Sequence, residues 1–360
     1  MKKTSCQDNH MLHKKLSELV DNNYIAERGI QGNVSYGKLV VEDFSSHFWV
    51  DAEDSSVKRG VYVKIPKASI KKRNVMPISE GDIKLAEEEY KSLVYLSRFW
   101  DSNDINVKFI RPLDYIRAFN AIVTERAYAG DILAVFRRFD GRRKLRAGGH
   151  SDLMNGYLFR IGTALSRFHN RSVSKEKDTL DEVVGKVEHY LSQLEPLLIK
   201  HALLNRIRAM FVEHRNKEIS CHKTTNLKGL DIRNVLVDRS HRIFLLDPGR
   251  IKVDFKEADL ARFLVTCKIL YWGSLQFFLG YTPHPSYKRS FLHGYFNKDK
   301  RLDDILLLMI IKELLKHWCM AHTALELKRW PAPFKRFLEV TFINSFYERQ
   351  LENELIKLGV

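Results

Sequence analysis

The chain has 360 residues, enough to bury one or two full cores. Its 44% apolar content excludes a disordered polymer, and a formal net charge of +16 points to an anionic partner: a phosphorylated substrate, an acidic membrane surface or nucleic acid. The four cysteines are scattered, with no C-x-x-C pair, which argues against a zinc site or disulfide framework and fits a reducing compartment.

The N-terminal MKKTSCQDNHMLHKK has no apolar core of the kind a secretory signal needs. The most apolar segments, 263–279 and 305–315, are broken by Lys268 and Lys312 and are too short to span a bilayer. A cytosolic protein is expected. Residues 1–30 read as a polar helix with no assignable chemistry. Residues 31–66 read as β-rich, with the runs YGKLVV, SHFWV and GVYVKIP separated by polar turns. Gly29, Gly32 and Gly37 could form a phosphate-covering loop or mark ordinary turns, and Ser45-Ser46 is an equal candidate for that loop. In Val61–Ile65 the residues alternate, with Val61, Val63 and Ile65 on one side and Tyr62 and Lys64 on the other.

The segment 83–99 reads as a helix with Leu85, Glu89, Leu93 and Leu96 on one stripe. A carboxylate inside an apolar stripe is costly unless paired, so Glu89 is the expected partner of Lys64, while Glu87 and Glu88 fall off the stripe. RPLDYI and NAIVTERAYAGDIL follow; the second is a strand, Ala121–Val123, running into a polar, glycine-containing connector. Residues 137–146, RRFDGRRKLR, carry six positive charges and read either as a solvated basic face or as an anion-binding patch. Asp152–His169 is an amphipathic helix with Leu158, Ile161, Leu165 and Phe168 on one stripe. Residues 180–217 and 286–356 add further helices.

The clearest constellation is GLDIRNVLVDRSHRIFLLDPG, residues 229–249. Val235–Val237 and Ile243–Leu246 are apolar runs joined by a polar turn, a hairpin signal. The hairpin brings Asn234 close to Asp247, thirteen residues later. A carboxamide beside a carboxylate suits a hard cation that keeps several waters, Mg²⁺.

Together these motifs resemble, in chain order, the aminoglycoside phosphotransferase and choline kinase superfamily, over roughly residues 58–296. The resemblance implies an α+β, two-lobed, protein-kinase-like fold: a β-rich N-terminal lobe over 1–125 and a mainly helical C-terminal lobe over 126–360. It implies that Lys64, fixed by Glu89, binds nucleotide phosphates, as in the V-A-I-K strand of kinases. Tyr62 would stack on adenine. Thr124 would be the gatekeeper, and the backbone of Glu125 and Ala127 would meet the adenine edge. Asn234 and Asp247 would hold Mg²⁺, with D-P-G standing for the kinase D-F-G. Asp259, in the D-L-A-R-F-L segment, would brace the catalytic loop, and His169 would be structural.

The catalytic loop departs from the pattern. Kinases place the base five residues before the metal-binding Asn. Here that position is Gly229, which has no side chain. Asp231, the only carboxylate in the loop, is the expected base, although it could equally cap the loop through backbone N–H groups. Alternatives are Asn226 or a residue near His222. The expected activity is transfer of the ATP γ-phosphoryl group to a hydroxyl of a small molecule, an envelope sugar or a glycolipid. The other expectation is a catalytically impaired pseudokinase that regulates or scaffolds. Arg137–Arg146 would offer a contact to an anionic membrane surface, making the protein peripheral at its inner face. No nucleic-acid module is recognised, so nucleic acid is not the expected partner.

Overall fold

A computed structural model describes residues 2–26, 33–42, 45–54, 57–68, 78–100, 106–136, 151–171, 174–197, 199–215, 219–227, 229–271, 283–297 and 303–359. The chain divides into two compact units, Met1–Asp131 with Asn234–Ile251, and Ile132–Arg233 with Lys252–Val360. The hairpin at 235–245 therefore clusters with the N-terminal residues. A division at 125/126 would have left it, and the Asn234 and Asp247 it carries, in the C-terminal part.

The N-terminal unit is built on an antiparallel sheet of β1 (Asn33–Tyr36), β2 (Val40–Val41), β3 (Ser45–Asp54), β4 (Val57–Pro66), β6 (Pro112–Ile116) and β7 (Ala121–Glu125), in the order β1-β3-β4-β7-β6 with β2 also on β3. The two-residue period of β4 decides what each face does. Val61, Val63 and Ile65 join Phe48, Val50, Ala52, Ala121 and Val123 in one core, closed by Leu12, Leu16 and Val20 of helix α1 (Lys2–Val20). The N-terminal helix is thus polar overall but covers the sheet with one apolar edge. Tyr62 and Lys64 face the other way, where helix α2 (Glu80–Trp100) packs through Ala86, Leu93 and the partly buried Tyr90 against Ile122 and Tyr115.

Helix α2 starts at a reciprocal cap. Ser79 Oγ accepts from the Asp82 N–H, while the Asp82 carboxylate accepts from the Ser79 N–H at 2.8 Å and the Ala68 N–H at 2.7 Å. Asn120, held in the left-handed region at φ 51°, donates its amide to the Asp82 carbonyl at 3.0 Å. These bonds fix the helix against the sheet.

A second sheet runs β5-β12-β11-β8, with β5 (Val107–Phe109), β8 (Gly130–Asp131), β11 (Val235–Val237) and β12 (Ile243–Leu245). Strands β11 and β12 form the expected hairpin, Val235 opposite Leu245. Its turn is closed by Asp238, whose carboxylate accepts from the N–H groups of Ser240 and Arg242, both at 2.9 Å. β12 pairs in parallel with β5 and β11 pairs antiparallel with β8, which ties the hairpin to residues more than a hundred positions earlier.

The C-terminal unit is mainly helical: α3 (Ser151–Arg171), α4 (Asp181–Leu194), α5 (His201–Arg215), α6 (Lys256–Lys268), α7 (Pro285–Phe296), α8 (Asp304–Glu326), α9 (Ala332–Leu338) and α10 (Ser345–Leu358). The stripe Leu158, Ile161, Leu165 and Phe168 of α3 is buried, as its spacing predicts. Helices α3 and α7 cross with backbones in contact. A Cβ on Gly162 would strike the Phe291 carbonyl, and one on Gly294 the Phe159 carbonyl. Helix α8 is buried from Leu306 to Leu315 on nearly every side, so the run ILLLMIIKELL is core packing. Three short strands, β9 (Ser174–Asp178), β10 (Ile219–Leu227) and β13 (Ile251–Phe255), form a sheet ordered β13-β10-β9. Among the described residues no helix is long and apolar enough to cross a membrane.

Candidate functional site

Lys64 is the centre of the site. Its Nζ lies 2.7 Å from Glu89 Oε1 and 2.9 Å from Asp247 Oδ2. Strand β4 supplies the lysine, helix α2 the glutamate, and the end of the hairpin the aspartate, all within the N-terminal unit. Glu89 is buried, as its place in an apolar stripe requires. That stripe is Ala86, Glu89, Leu93 and Leu96; Leu85, assigned to it from the sequence, is 36% exposed and lies off the face. Burial works against the Lys64 charge, but the two carboxylates outweigh it and raise its pKa. The Glu89 carboxyl is pushed up to about 7, first by burial and then, against the pull of Lys64, by the Asp247 charge.

These groups open onto a cavity of about 440 Å³. Its lining includes Ser45, His47, Trp49, Tyr62, Thr124, Glu125, Arg126, Ala127, Asn234, Leu236 and Leu246 besides Lys64, Glu89 and Asp247. Tyr62 stacks on His47, ring centroids 5.3 Å apart and planes at 28°. Burial raises the Tyr62 pKa and lowers that of His47. Thr124 is buried opposite Tyr62 in the β4–β7 register. The Glu125 N–H is committed to the Arg111 carbonyl at 2.9 Å, so of its two backbone groups the carbonyl is the one left for the pocket. The Ala127 N–H has no partner among the described residues.

Sequence reasoning missed His47, Trp49 and Arg126. Strand pairing puts His47 opposite Lys64 and Trp49 opposite Tyr62, on the same face. The signal was the alternation in SHFWV; the register that gives it meaning is non-local. The Arg126 guanidinium sits 4.1 Å over the Trp49 ring and is paired with the buried Asp51, which also accepts from the Tyr128 hydroxyl at 2.9 Å. Gly37 packs against the same indole; a Cβ there would come within 2.5 Å of it. Ser45 lines the cavity. Gly29 and Gly32, the other loop candidates, lie outside the described residues, as do Arg137–Arg146.

The hairpin ends meet as expected. The Leu246 N–H donates to the Asn234 carbonyl at 2.8 Å, and Asn234 and Asp247 both line the cavity. Asp247 has φ 44° and Gly249 φ 62°, so the D-P-G turn reverses sharply just past the carboxylate. Among the described residues no three His, Cys, Asp or Glu side chains cluster to cage a metal. One carboxylate plus one carboxamide fits Mg²⁺, which takes few protein ligands and completes its shell with water and phosphate oxygens.

The loop before the hairpin belongs to the C-terminal unit up to Arg233. Asp231 is buried, and its Oδ1 accepts from the Arg233 N–H at 2.8 Å and from Arg233 Nε at 2.9 Å, while Oδ2 takes Arg233 Nη2. Both oxygens are thus engaged, in the manner of a loop cap. Asn226 spends its amide on the Phe255 carbonyl at 2.6 Å. The side chain of His222 is outside the described residues. Asp259 accepts from the Leu227 N–H at 2.6 Å and from His169 at 3.2 Å, and the other ring nitrogen of His169 meets the Tyr295 hydroxyl at 2.8 Å. Asp259 holds the strand that leads into the loop, and His169 is enclosed as its support.

No protein-family model matches the chain, and no curated protein matches it in sequence. Solved structures do match. Choline kinase LicA from Streptococcus pneumoniae superposes over 96% of this chain and 99% of its own, with a TM-score of 0.54 and 12% identity. Spectinomycin phosphotransferase APH(9)-Ia, solved with ADP and spectinomycin, covers 96% and 98% with a TM-score of 0.54 and 14% identity. Macrolide 2'-phosphotransferase MphH from Brachybacterium faecium covers 92% and 97% with a TM-score of 0.53 and 14% identity. The chain has the choline kinase and antibiotic phosphotransferase fold.

Proposed function

We propose that the chain is a phosphotransferase that moves the γ-phosphoryl group of ATP to a hydroxyl of a small molecule, or of a sugar in an envelope glycan or glycolipid. One observation carries this reading: a single ammonium, Lys64, held between Glu89 and Asp247 in the wall of a cavity that Asn234 also lines. Lys64, positioned by Glu89, binds the phosphates. Tyr62, backed by His47, takes the face of the base, and the Glu125 carbonyl and Ala127 N–H take its edge. Asn234 and Asp247 hold Mg²⁺, which when bound neutralises charge on the phosphates. Asp231 orients the acceptor hydroxyl and takes its proton, which requires Arg233 to release one carboxylate oxygen. The kinase-like fold supports the reaction class. The acceptor's identity rests on chemistry alone.

A second reading has its own observation. Gly229 stands where kinases carry the base, and both oxygens of Asp231 are held by Arg233. A chain built this way is a nucleotide-binding regulator or scaffold. Isothermal titration with ATP and Mg²⁺, followed by phosphoryl transfer to a panel of alcohols, amino sugars and glycolipids, separates the two. Binding with transfer supports the enzyme, and binding without transfer to any acceptor supports the scaffold. Absence of binding, or Lys64→Met binding as tightly as the wild type, overturns both.

A further inference from the structure

The segment that follows α8 leaves its large apolar side chains bare. Leu327, Trp330, Phe334, Phe337 and Val340 are 58, 45, 46, 53 and 43% exposed. Single exposed apolar residues are ordinary, but five within fourteen positions, with Phe334 and Phe337 on one short helix and Trp330 packed on Phe334 from the turn before it, are a local concentration. The segment is well supported. Leu338, Ile343 and Asn344 of the same stretch are buried, and Asn344 Oδ1 accepts from Trp318 Nε1 at 3.0 Å and meets His322 Nε2 at 2.9 Å. Trp330 packs edge-on against Phe334 at 5.4 Å, and Phe337 against Phe342 at 5.8 Å.

The charges along residues 327–340 are mainly basic: Lys328, Arg329, Lys335 and Arg336 stand against one acidic residue, Glu339, whose carboxylate lies 3.4 Å from His322 Nδ1. Lys335 is tied back to Glu326, its Nζ donating to the backbone carbonyl at 3.0 Å. Lys328, Arg329 and Arg336 make no ion pair among the described residues. Exposed aromatic rings flanked by unpaired basic side chains are what an interfacial segment needs. The rings sink to the boundary between headgroups and acyl chains, and the long basic side chains reach the lipid phosphates.

We propose that residues 327–340 dock this protein peripherally on an anionic lipid bilayer. Residues 327–340 share no residue with the Arg137–Arg146 run or with the lining of the Lys64 cavity. They attach without spanning, in keeping with the lack of any membrane-crossing helix among the described residues. Single-stranded nucleic acid would use the same charges but needs open, parallel ring faces for its bases. Here the rings are packed edge-to-face, at 67° and 78°, and the outer positions Leu327 and Val340 are aliphatic.

The test is co-sedimentation of the full chain with phosphatidylcholine vesicles, with and without phosphatidylserine, at low and high salt. The wild type binds the phosphatidylserine vesicles, and salt weakens the binding. Trp330→Ser/Phe334→Ser/Phe337→Ser loses on the order of 100-fold in vesicle affinity through the apolar area removed. Lys328→Glu/Arg329→Glu/Arg336→Glu loses at least about fivefold for each charge changed, only on the anionic vesicles. All these positions are exposed, so melting temperatures stay at the wild-type value. If the serine variant fails to fold, the charge variant alone decides. No wild-type binding to anionic vesicles, or equal binding by wild type and variants, overturns the proposal. So does capture by single-stranded RNA that anionic vesicles fail to compete.

Discussion

In the N-terminal unit one ammonium, Lys64, is shared by two carboxylates, Glu89 and Asp247; in the C-terminal unit one carboxylate, Glu313, is shared by Lys312 at 3.1 Å, Lys316 at 3.3 Å and Arg262 at 3.7 Å. Both clusters are buried, yet their stoichiometry is opposite. Glu313 is only 3% exposed at its side chain and is enclosed by protein cations, two of them on its own helix. That cluster is a structural clasp between α6 and α8. The Lys64 cluster has more carboxylate than ammonium, faces a cavity, and leaves Asp247 43% exposed at its side chain. The cost of a second carboxylate at this wall shows in the raised pKa of Glu89, and a cation at the wall would relieve it. The contrast separates an ion network enclosed by protein from one that opens on a cavity, as the proposed nucleotide site requires.

The largest effect that sharpens this contrast is on the clasp. Glu313→Gln leaves three cations without their common carboxylate and destabilises the C-terminal unit by about 3–5 kcal/mol, read by urea denaturation. A change below about 1 kcal/mol would mean the clasp is ornamental. Next comes Lys64→Met, which weakens nucleotide binding by about 100-fold, or ~2.7 kcal/mol, in isothermal titration. The smallest effect is on pH dependence, and the two clusters differ in sign. The folded Glu89 carboxyl, raised to about 7 from 4.5, holds a proton through a range where the unfolded chain has released it. It therefore lowers stability as pH rises from about 4.5 to 7, by ~1–3 kcal/mol. Glu89→Gln removes that slope. Burial opposes the Glu313 charge, but Lys312, Lys316 and Arg262 prevail and hold its pKa well below the usual range. Its contribution is present above pH 4.5 and is lost as pH falls toward the lowered folded value. Urea denaturation at several pH values, on wild type and both glutamine variants, reads the opposed slopes directly.

Much of the site was legible because its signals are local. The alternation of Val61–Ile65 separates a core face from a chemical face wherever one side is buried. A glutamate within an apolar stripe named Glu89 as the partner of Lys64, and the observed 2.7 Å contact follows from the cost of burying it alone. Leu85 was misassigned because one residue of helix turns the face by about 100°, and Ala86, with its small side chain, was the true member. The hairpin was legible for the same local reason, but its parallel partner β5 was not. Strand pairing across that distance leaves no periodic trace, and neither does the register that sets Trp49 beside Tyr62. The capture of Asp231 by Arg233 is short-range and is written in the D-I-R spacing. What hides it is that a loop carboxylate reads equally well as a base or as a cap until its partners are seen.

The most direct test of the central claim is the binding of a non-hydrolysable ATP analogue to wild type and Asp247→Asn, with and without Mg²⁺. The account predicts that Mg²⁺ tightens wild-type binding at least ~10-fold and leaves Asp247→Asn unchanged. Wild-type binding indifferent to Mg²⁺, or an undiminished Mg²⁺ effect in Asp247→Asn, would contradict it.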